Sequence, residues 1–433
     1  MLKVDFNQEK GEIRRLNGVN LAPRLSESAN MDMNTPFKAL NVPVARFHDA
    51  SLDNPGMRLI DPHLIFANWH ADAADPRNYY FRQTDDYLRN CRNLDTDIHY
   101  RLGPSIEHSK EHYFIYPPED YDKWIDICSN IIRHYNEGWN NGFAWRIKYW
   151  TLWEEPEDGS RRLWDGEPIQ YFRLFKLAVK RLKDRFPDIK LGTCVGENLP
   201  PKWTADYLSY CRDEKVPMDF FGVSLYKGGL DEVIGHPEAV RKLIDGYGFK
   251  DTEVHIAEWN YTPIGIGYGG KIAEESPQGC YGPDGAAFAA AVLTGWQDTP
   301  LTMSNYYTAS MIMGLFDRYG VPKKNYYGFL AFGEMAKHRR RVAAVSDTGE
   351  VKILAGANAD GKGAVLVSAF KSDATSLKLR YTGAKAATLE VLCVNSELNL
   401  EPTDFKAGID EIILEKKPGS SVFLIKGFER VVR

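Results

Sequence analysis

The chain has 433 residues, of which 43% are hydrophobic and 26% are charged, and its formal net charge is −5. This length exceeds that of one ordinary domain, so we expect one large domain and a smaller one. The charge is mild, and no basic run is longer than Arg339-Arg340-Arg341. Nucleic acid and an anionic membrane are therefore not expected as partners.

The first residues, Met1 to Phe6, contain no hydrophobic signal core. No apolar stretch reaches the roughly 18 residues that a membrane helix needs. We therefore expect a cytoplasmic protein, with a removed signal peptide as the open alternative. The six cysteines are scattered and form no Cys-x-x-Cys pair. They predict buried thiols in a reducing compartment. The sequence leaves open whether the chain forms a homo-oligomer.

Predicted strands and helices alternate along residues 14–338. Apolar residues at spacings of three and four predict a helix from Trp124 to Tyr135, and a second helix begins near Pro168. Eight strand–helix units predict an α/β fold, a (β/α)8 TIM barrel. The eight predicted strands cover residues 16–21, 42–48, 97–103, 147–152, 189–194, 220–226, 254–256 and 302–307.

The pattern changes after His338. Short apolar segments separated by Gly, Asp, Asn, Lys and Pro follow one another, and no convincing helix intervenes. This pattern predicts an appended C-terminal antiparallel β-sandwich over residues 339–433. The alternating N-terminal segment, residues 1–13, is expected to add a strand to that sandwich.

Two glutamates end two of the predicted strands. Glu155 stands in Trp153-Glu154-Glu155-Pro156, and Glu258 stands 103 residues later in Ala257-Glu258-Trp259-Asn260. Three strand–helix units fit between them, which places them on barrel strands four and seven, facing each other across the barrel mouth. Hydrolysis of a glycosidic bond usually needs two carboxyl groups on opposite sides of one bond. We expect the two carboxyl groups roughly 5–5.5 Å apart, the spacing of enzymes that retain anomeric configuration.

Two other patterns suggest different sites and are set aside. Gly265-Ile266-Gly267-Tyr268-Gly269-Gly270 matches the dinucleotide pattern, but no long helix opens on it and no acidic residue follows at the ribose-binding distance. The segment 261–283 is instead predicted as a long loop over the barrel mouth. No His-Glu-x-x-His or paired-cysteine spacing indicates a metal site.

Several segments resemble glycoside hydrolase family 39, the family of β-xylosidases and α-L-iduronidases. Its strand-two Arg-Phe-His matches Arg46-Phe47-His48, and its Trp-Asn-Glu-Pro matches Trp153 to Pro156. Its Thr-Glu-Trp/Phe-Asn matches Ala257 to Asn260. Further similarity covers Leu102-Gly103-Pro104 and the passage from Gly314 to Tyr327.

The resemblance implies a carbohydrate substrate, a retaining mechanism, and neither cofactor nor metal. It makes Glu155 the acid/base and Glu258 the nucleophile. The activity it favours is that of an exo-acting β-xylosidase. The implied substrate-binding residues are Arg46, His48, Trp153, Glu154, Tyr226, Trp259 and Tyr307.

Three positions depart from the family pattern. Glu154 replaces the asparagine that binds the sugar 2-hydroxyl, Ser224 replaces a histidine, and Tyr307 replaces a tryptophan. An ionised carboxylate accepts hydrogen bonds but cannot donate them, unlike an amide. Two alternatives therefore stay open: a glycosidase for another glycone (arabinopyranoside, galactoside or a uronic-acid-containing chain), and a sugar-binding barrel with weakened catalysis.

Overall fold

The structure is a computed structural model. It describes residues 1–23, 33–47, 59–105, 112–157, 163–196, 201–265, 279–309, 313–317 and 319–431. Within these residues, no helix combines the length and apolarity needed to cross a membrane. All six cysteines are buried, as expected for thiols that serve as small core residues.

Eight parallel strands close into a barrel, in the order of the chain. Their residues are buried almost throughout, because parallel strands in such a fold are covered on both faces. The predicted TIM barrel is therefore confirmed. The barrel strands are β2 (Gly18–Asn20), β3 (Val44–Phe47), β4 (Asp97–Leu102), β5 (Tyr149–Leu152), β6 (Lys190–Val195), β7 (Phe220–Lys227), β8 (Glu253–Tyr261) and β9 (Leu301–Tyr306).

The helices lie between and after these strands. They are α1 (Asn34–Ala39), α2 (Pro62–Ile65), α3 (Arg82–Asn93), α4 (Tyr121–Glu137), α5 (Pro168–Arg185), α6 (Pro201–Asp213), α7 (Leu230–Gly246), α8 (Pro283–Gly295) and α9 (Lys324–Met335).

Helix α4 shows how local sequence sets these limits. The Asp120 side chain accepts a hydrogen bond from the Lys123 N–H at 3.0 Å, which caps the first turn. Gly138 ends the helix with φ 75°, a left-handed conformation that glycine adopts without steric cost. The apolar face predicted between these two signals is buried against the barrel.

The C-terminal part of the chain and the N-terminal strand β1 form a ten-stranded, mostly antiparallel sheet that curls around its own core, which confirms the predicted appended β-sandwich. The N-terminal strand β1 pairs antiparallel with β10 and parallel with β13. The domain limits at residues 13/14 and 338/339 stay a prediction. The ten strands are β1 (Leu2–Glu12), β10 (Arg340–Ser346), β11 (Val351–Ala357), β12 (Lys362–Ser372), β13 (Ser376–Thr382), β14 (Ala384–Val394), β15 (Asn399–Pro402), β16 (Phe405–Gly408), β17 (Glu411–Glu415) and β18 (Gly419–Arg430).

Helix α8 packs between the barrel and this sheet. It contacts β8 on one side and strands β11, β12 and β18 on another. Every residue from Gly285 to Thr294 is buried, and five of them are alanines that let neighbouring backbones approach closely. The Ser368 hydroxyl of β12 donates to the Ala287 carbonyl of this helix at 2.6 Å.

Candidate active site

Three carboxylates meet at the carboxyl ends of the barrel strands, the end where barrel enzymes place their sites. Glu154 and Glu155 follow β5, and Glu258 lies near the end of β8. One carboxylate oxygen from each residue lies within 4.8 Å of the other two. Glu154 and Glu258 are fully buried, whereas Glu155 keeps partial exposure to solvent. Glu155 is thus the member of the group that incoming molecules can reach most directly.

The backbone around Glu155 is held in an uncommon conformation. Trp153 has φ 66° and Glu155 has φ 34°, both in the left-handed region that side chains other than glycine seldom occupy. At Gly103, after β4, an added Cβ would lie 2.8 Å from the Trp153 Cα, so only glycine permits this approach. The Glu155 N–H donates to the Cys194 carbonyl of β6 at 3.1 Å. Contacts from both neighbouring strands therefore determine where the Glu155 carboxyl points.

A β-bulge orients Glu258. Val223 of β7 pairs with Ile256, but the next residue, Ser224, pairs with Glu258. Ala257 is the extra residue on β8, and a bulge of this kind re-aims the side chain that follows it. The Ser224 hydroxyl then donates to Glu155 Oε1 at 2.9 Å. Ser224 lies beside both glutamates and bonds to Glu155.

Arg46 of β3 links two of the carboxylates. Its Nη2 donates to Glu154 Oε1 at 2.7 Å and to Oε2 at 2.5 Å, and its Nη1 donates to Glu258 Oε1 at 3.0 Å. Burial alone would lower the pKa of Arg46, but the negative charges of Glu154 and Glu258 raise it well above its ordinary value. Arg46 is therefore a permanent cation at the bottom of the site.

The second oxygen of Glu258 has its own donor. The Tyr226 hydroxyl donates to Glu258 Oε2 at 2.5 Å. With Arg46 on Oε1, both carboxylate oxygens of Glu258 accept hydrogen bonds. Asn20 of β2 steadies this arrangement, because its Oδ1 accepts from Arg46 Nη1 at 3.2 Å while its Nδ2 donates to the Ala257 and Asn305 carbonyls.

The carboxylate spacing would also suit a cation. Hard divalent cations bind oxygen ligands, so the three glutamates are the residues that would hold one. The Arg46 guanidinium already supplies a positive charge to two of them. Arg46 thus pairs with Glu154 and Glu258, whereas Glu155 accepts its hydrogen bond from Ser224.

Of the other predicted site residues, Tyr307 lies beside the site and Trp153 packs in the core. Tyr307 is buried, and its ring lies edge-on to the Tyr226 ring with centroids 6.0 Å apart, beside the Glu258 side of the site. Trp153 packs against Trp164 with centroids 4.9 Å apart, and its indole N–H donates to a backbone carbonyl. Such packing is that of a core residue, so its predicted substrate contact has no support here.

Trp259 is also a core residue. It is fully buried, with ring centroids 5.0 Å from both Trp296 and Tyr306. Its neighbour Glu258 faces the barrel interior, and successive strand residues point to opposite faces. The predicted substrate contact of Trp259 therefore lacks support as well. His48 and the segment 266–278 lie outside the described residues.

The sequence analysis did not single out Asn20 or Glu157. Asn20 shares its strand with Gly18 and Val19, and only the long-range contacts of the barrel show that it touches Arg46. Glu157 belongs to an acidic run that suggests an exposed loop, yet it is buried. Glu157 directly follows the segment Trp153-Glu154-Glu155-Pro156, and this closeness to Glu155 in sequence is the signal that could have marked it as a residue near the site.

Comparisons with known proteins concern the family and the fold of the chain. The profile of glycosyl hydrolases family 39 matches residues 69–346. A β-xylosidase from Geobacillus stearothermophilus is 25% identical over 292 residues, which cover 60% of this chain and 52% of that protein. The chain thus spans about half the length of that relative.

Solved structures share the whole architecture. A glucosidase from Croceicoccus marinus matches with a TM-score of 0.81 at 21% identity, covering 100% of this chain and 99% of the other. An α-L-arabinofuranosidase from Thermotoga maritima matches with a TM-score of 0.68 at 15% identity, covering 98% and 99%. At these identities the likeness concerns the fold. The family profile covers more than half of the sequence, and the chain belongs to glycosyl hydrolases family 39.

Proposed function

We propose that this protein is a retaining glycoside hydrolase that cleaves a carbohydrate substrate with Glu155 and Glu258. The observation that carries the proposal is the approach of their carboxylate oxygens to within 4.8 Å. Retaining enzymes hold the two carboxyl groups roughly 5–5.5 Å apart, whereas inverting enzymes need roughly 6.5–9.5 Å to admit a water molecule. The short separation supports direct attack by one carboxylate.

Glu258 is the nucleophile in this proposal. Its two oxygens accept hydrogen bonds from Arg46 and Tyr226, which hold the carboxylate in a fixed position for attack. It attacks the anomeric carbon, and a bond from Glu258 to the sugar forms as the bond to the leaving oxygen breaks. The ester that results neutralises one of the two negative charges beside Arg46.

Glu155 is the acid/base. It is the accessible carboxyl group, and Ser224 and the Cys194 carbonyl hold it in place. Its proton goes to the leaving oxygen in the first step. In the second step the Glu155 carboxylate takes a proton from water, the water oxygen attacks the anomeric carbon, and Glu258 leaves as a carboxylate.

For the substrate, we propose exo-acting β-xylosidase-like activity. The family and the β-xylosidase relative support it. Glu154 is the main reason to keep another glycone as the alternative, since a carboxylate bonded to Arg46 stands where the family has an amide. Arabinopyranosides, galactosides and uronic-acid-containing chains are the alternatives to test.

A panel of aryl glycosides that differ only in the glycone tests activity and glycone together. The best substrate is then used with Glu258→Ala, which should lose on the order of 10⁴-fold or more in kcat because the nucleophile is gone. Azide should restore turnover by occupying the vacated space. Its product should be a glycosyl azide of inverted anomeric configuration.

Two further variants complete the experiment. With azide, Glu155→Ala should give a glycosyl azide of retained configuration, because the nucleophile is intact and azide replaces the water. Glu119→Gln removes an exposed carboxylate from a loop after β4 and should behave like the wild type. Unimpaired turnover by Glu258→Ala would place the nucleophile elsewhere. Sugar binding without turnover across the panel would instead identify a binding protein.

A further inference from the structure

Exposed aromatic side chains cluster on one loop at the barrel mouth. The loop that follows β4 carries Tyr113, Phe114 and Tyr116, which are 57%, 45% and 60% exposed. Single exposed apolar residues need no explanation, but a group of them marks a binding surface. Phe114 has no polar side-chain atom that would favour contact with water. Its backbone has φ 62°, which is an outlier for a bulky residue, and such strain gathers at binding sites.

The Phe114 ring packs against a row of other aromatic rings. Its centroid lies 4.3 Å from that of His63, with the ring planes inclined by 31°. The His63 centroid lies 4.8 Å from that of Trp69, which in turn packs against the buried Phe66 at 6.0 Å. We call His63, Trp69 and Phe114 the aromatic platform. Because its rings are held by one another, little conformational entropy is lost when a ligand lies on them.

Hydrogen bonds fix the platform to the end of β4. Asp61 precedes α2, and its Oδ1 accepts from Arg101 Nη2 at 2.9 Å. Its Oδ2 accepts from the Ser105 N–H at 2.8 Å, and all three residues are buried. His63 follows Asp61 by two residues. The platform therefore lies at the carboxyl end of the barrel strands, the end that also holds Glu155.

A second set of contacts joins the platform to the segment that carries Glu155. Ile115, next to Phe114, packs against Leu163, and both side chains are buried. The Leu163 carbonyl accepts a hydrogen bond from the Trp153 indole N–H at 2.6 Å. Trp153 precedes Glu155 by two residues, and β4 is the barrel neighbour of β5, which Glu155 follows. The platform is thus on the Glu155 side of the site.

We propose that the aromatic platform binds the sugar units of the leaving group, so that the substrate is an oligosaccharide or the end of a polysaccharide. The proposal rests on the proposed function, in which Glu155 protonates the leaving oxygen. The leaving group must then lie on the Glu155 side of the cleaved bond. Aromatic faces carry partial negative charge and attract the C–H groups on the face of a sugar ring. Binding of these remote sugar units lowers the barrel enzyme's activation barrier when it persists in the transition state.

A chain-length series tests the proposal. The probes are xylobiose, xylotriose, xylotetraose and β-D-xylosyl fluoride, or the matching set for another glycone if the aryl glycoside panel ranks it first. The fluoride has no leaving sugar and cannot reach the platform. In the wild type, kcat/KM should rise with chain length. Phe114→Ala should lower kcat/KM on the tetrasaccharide about tenfold, the loss expected for an aromatic anchor, and leave the fluoride unchanged.

Two variants provide the controls. Phe114→Trp keeps an aromatic face and should keep the wild-type gain with chain length. Ile409→Ala removes an apolar side chain that is 95% exposed in the turn between β16 and β17 of the C-terminal sheet. It should leave kcat/KM unchanged on every probe.

The outcomes separate the two proposals. An active wild type with no gain from chain length overturns the role of the platform alone. A Phe114→Ala variant that loses nothing, or loses as much on the fluoride as on the tetrasaccharide, also overturns it. A wild type that turns over no probe overturns the proposed function. Calorimetric titration with the same oligosaccharides then decides the platform by itself: weaker binding by Phe114→Ala supports it, and equal or absent binding overturns it.

Discussion

At the residue scale, one guanidinium is hydrogen-bonded to two carboxylates, and the proposed function gives them different roles. Arg46 makes two hydrogen bonds to Glu154 and one to Glu258. The planar fork of arginine permits this, whereas a lysine ammonium is a single point charge. Glu154 therefore competes with Glu258 for the positive charge of Arg46. In the proposed reaction, Glu154 acts through Arg46 as well as through any contact with the sugar.

Glu154→Asn tests that effect. The amide removes the competing charge, so more of the Arg46 charge is directed to Glu258, and it supplies an N–H donor that the carboxylate lacks. In each variant, kcat/KM is measured on an aryl β-xyloside and on the best aryl glycoside with another glycone. We expect the ratio of the first value to the second to rise by about tenfold in Glu154→Asn, which corresponds to about 1.4 kcal/mol of transition-state free energy.

Glu154→Gln provides the matched variant, since it also removes the charge but keeps the length of the side chain. A shift in both variants assigns the effect to charge, and a shift in Glu154→Asn alone assigns it to the position of the amide. If the glycone ranking stays the same in both, Glu154 has only a structural role.

At the element scale, an ion pair at the opposite end of the barrel joins strands β6 and β8 across β7. Lys190 begins β6 and is paired with Glu253, which begins β8, and Glu253 also accepts a hydrogen bond from His255 at 3.0 Å. Burial alone would raise the pKa of Glu253, but the hydrogen bonds and charges of His255 and Lys190 lower it to about 2. The pair thus holds in register three strands, one of which carries Glu258.

This pair predicts acid sensitivity. The folded-state pKa of Glu253 is below its ordinary value of about 4.3. Its contribution to stability is therefore complete above that value and is lost as pH falls towards about 2. Lys190→Met should lower the urea midpoint at pH 7, and the difference from the wild type should shrink between pH 5 and pH 3.

Lys202→Met is the control for this experiment. Lys202 is 91% exposed and pairs with Asp206 on α6, and exposed pairs contribute little to stability. It should leave the urea midpoint nearly unchanged at every pH. A Lys190→Met difference that stays constant from pH 7 to pH 3 would mean that Glu253 does not carry the effect.

The sequence predicted elements better than it predicted contacts. The helix expected from Trp124 to Tyr135 is found as Tyr121–Glu137, because its capping residues and apolar spacing are local signals. The bulge at Ala257 and the left-handed backbone at Glu155 depend on neighbouring strands that are distant in sequence. The family resemblance implied that Trp153 and Trp259 bind substrate. Both are buried in the core, a packing that depends on residues distant in sequence, and their substrate contact stays a prediction.

At the scale of the whole molecule, the barrel and the C-terminal sheet share an aromatic cluster. Phe288 of α8 has its ring centroid 4.8 Å from Tyr261 of β8 and 5.3 Å from Phe370 of β12. Tyr261 and Phe370 also touch each other, at 5.5 Å. The strand that carries Glu258 is thus in direct contact with the sheet, and the sheet supports the barrel wall near the site.

Phe288→Ala should therefore weaken both parts of the molecule. The side chain is fully buried, and removal of a buried phenylalanine costs about 3–5 kcal/mol of unfolding free energy. Because the cavity opens between the barrel and the sheet, hydrogen exchange should accelerate in β8 and in β12 alike, measured by mass spectrometry on the folded variant.

Phe428→Ala is the matched control, since Phe428 is equally buried but packs against Phe6 and Tyr381 inside the sheet. It should accelerate exchange in the sheet and leave β8 at the wild-type rate. If Phe288→Ala loosens β12 while β8 keeps its protection, the sheet does not support the strand that carries Glu258. If both strands loosen together, Phe288→Ala should also lower kcat, because the Glu258 carboxylate depends on β8 for its position.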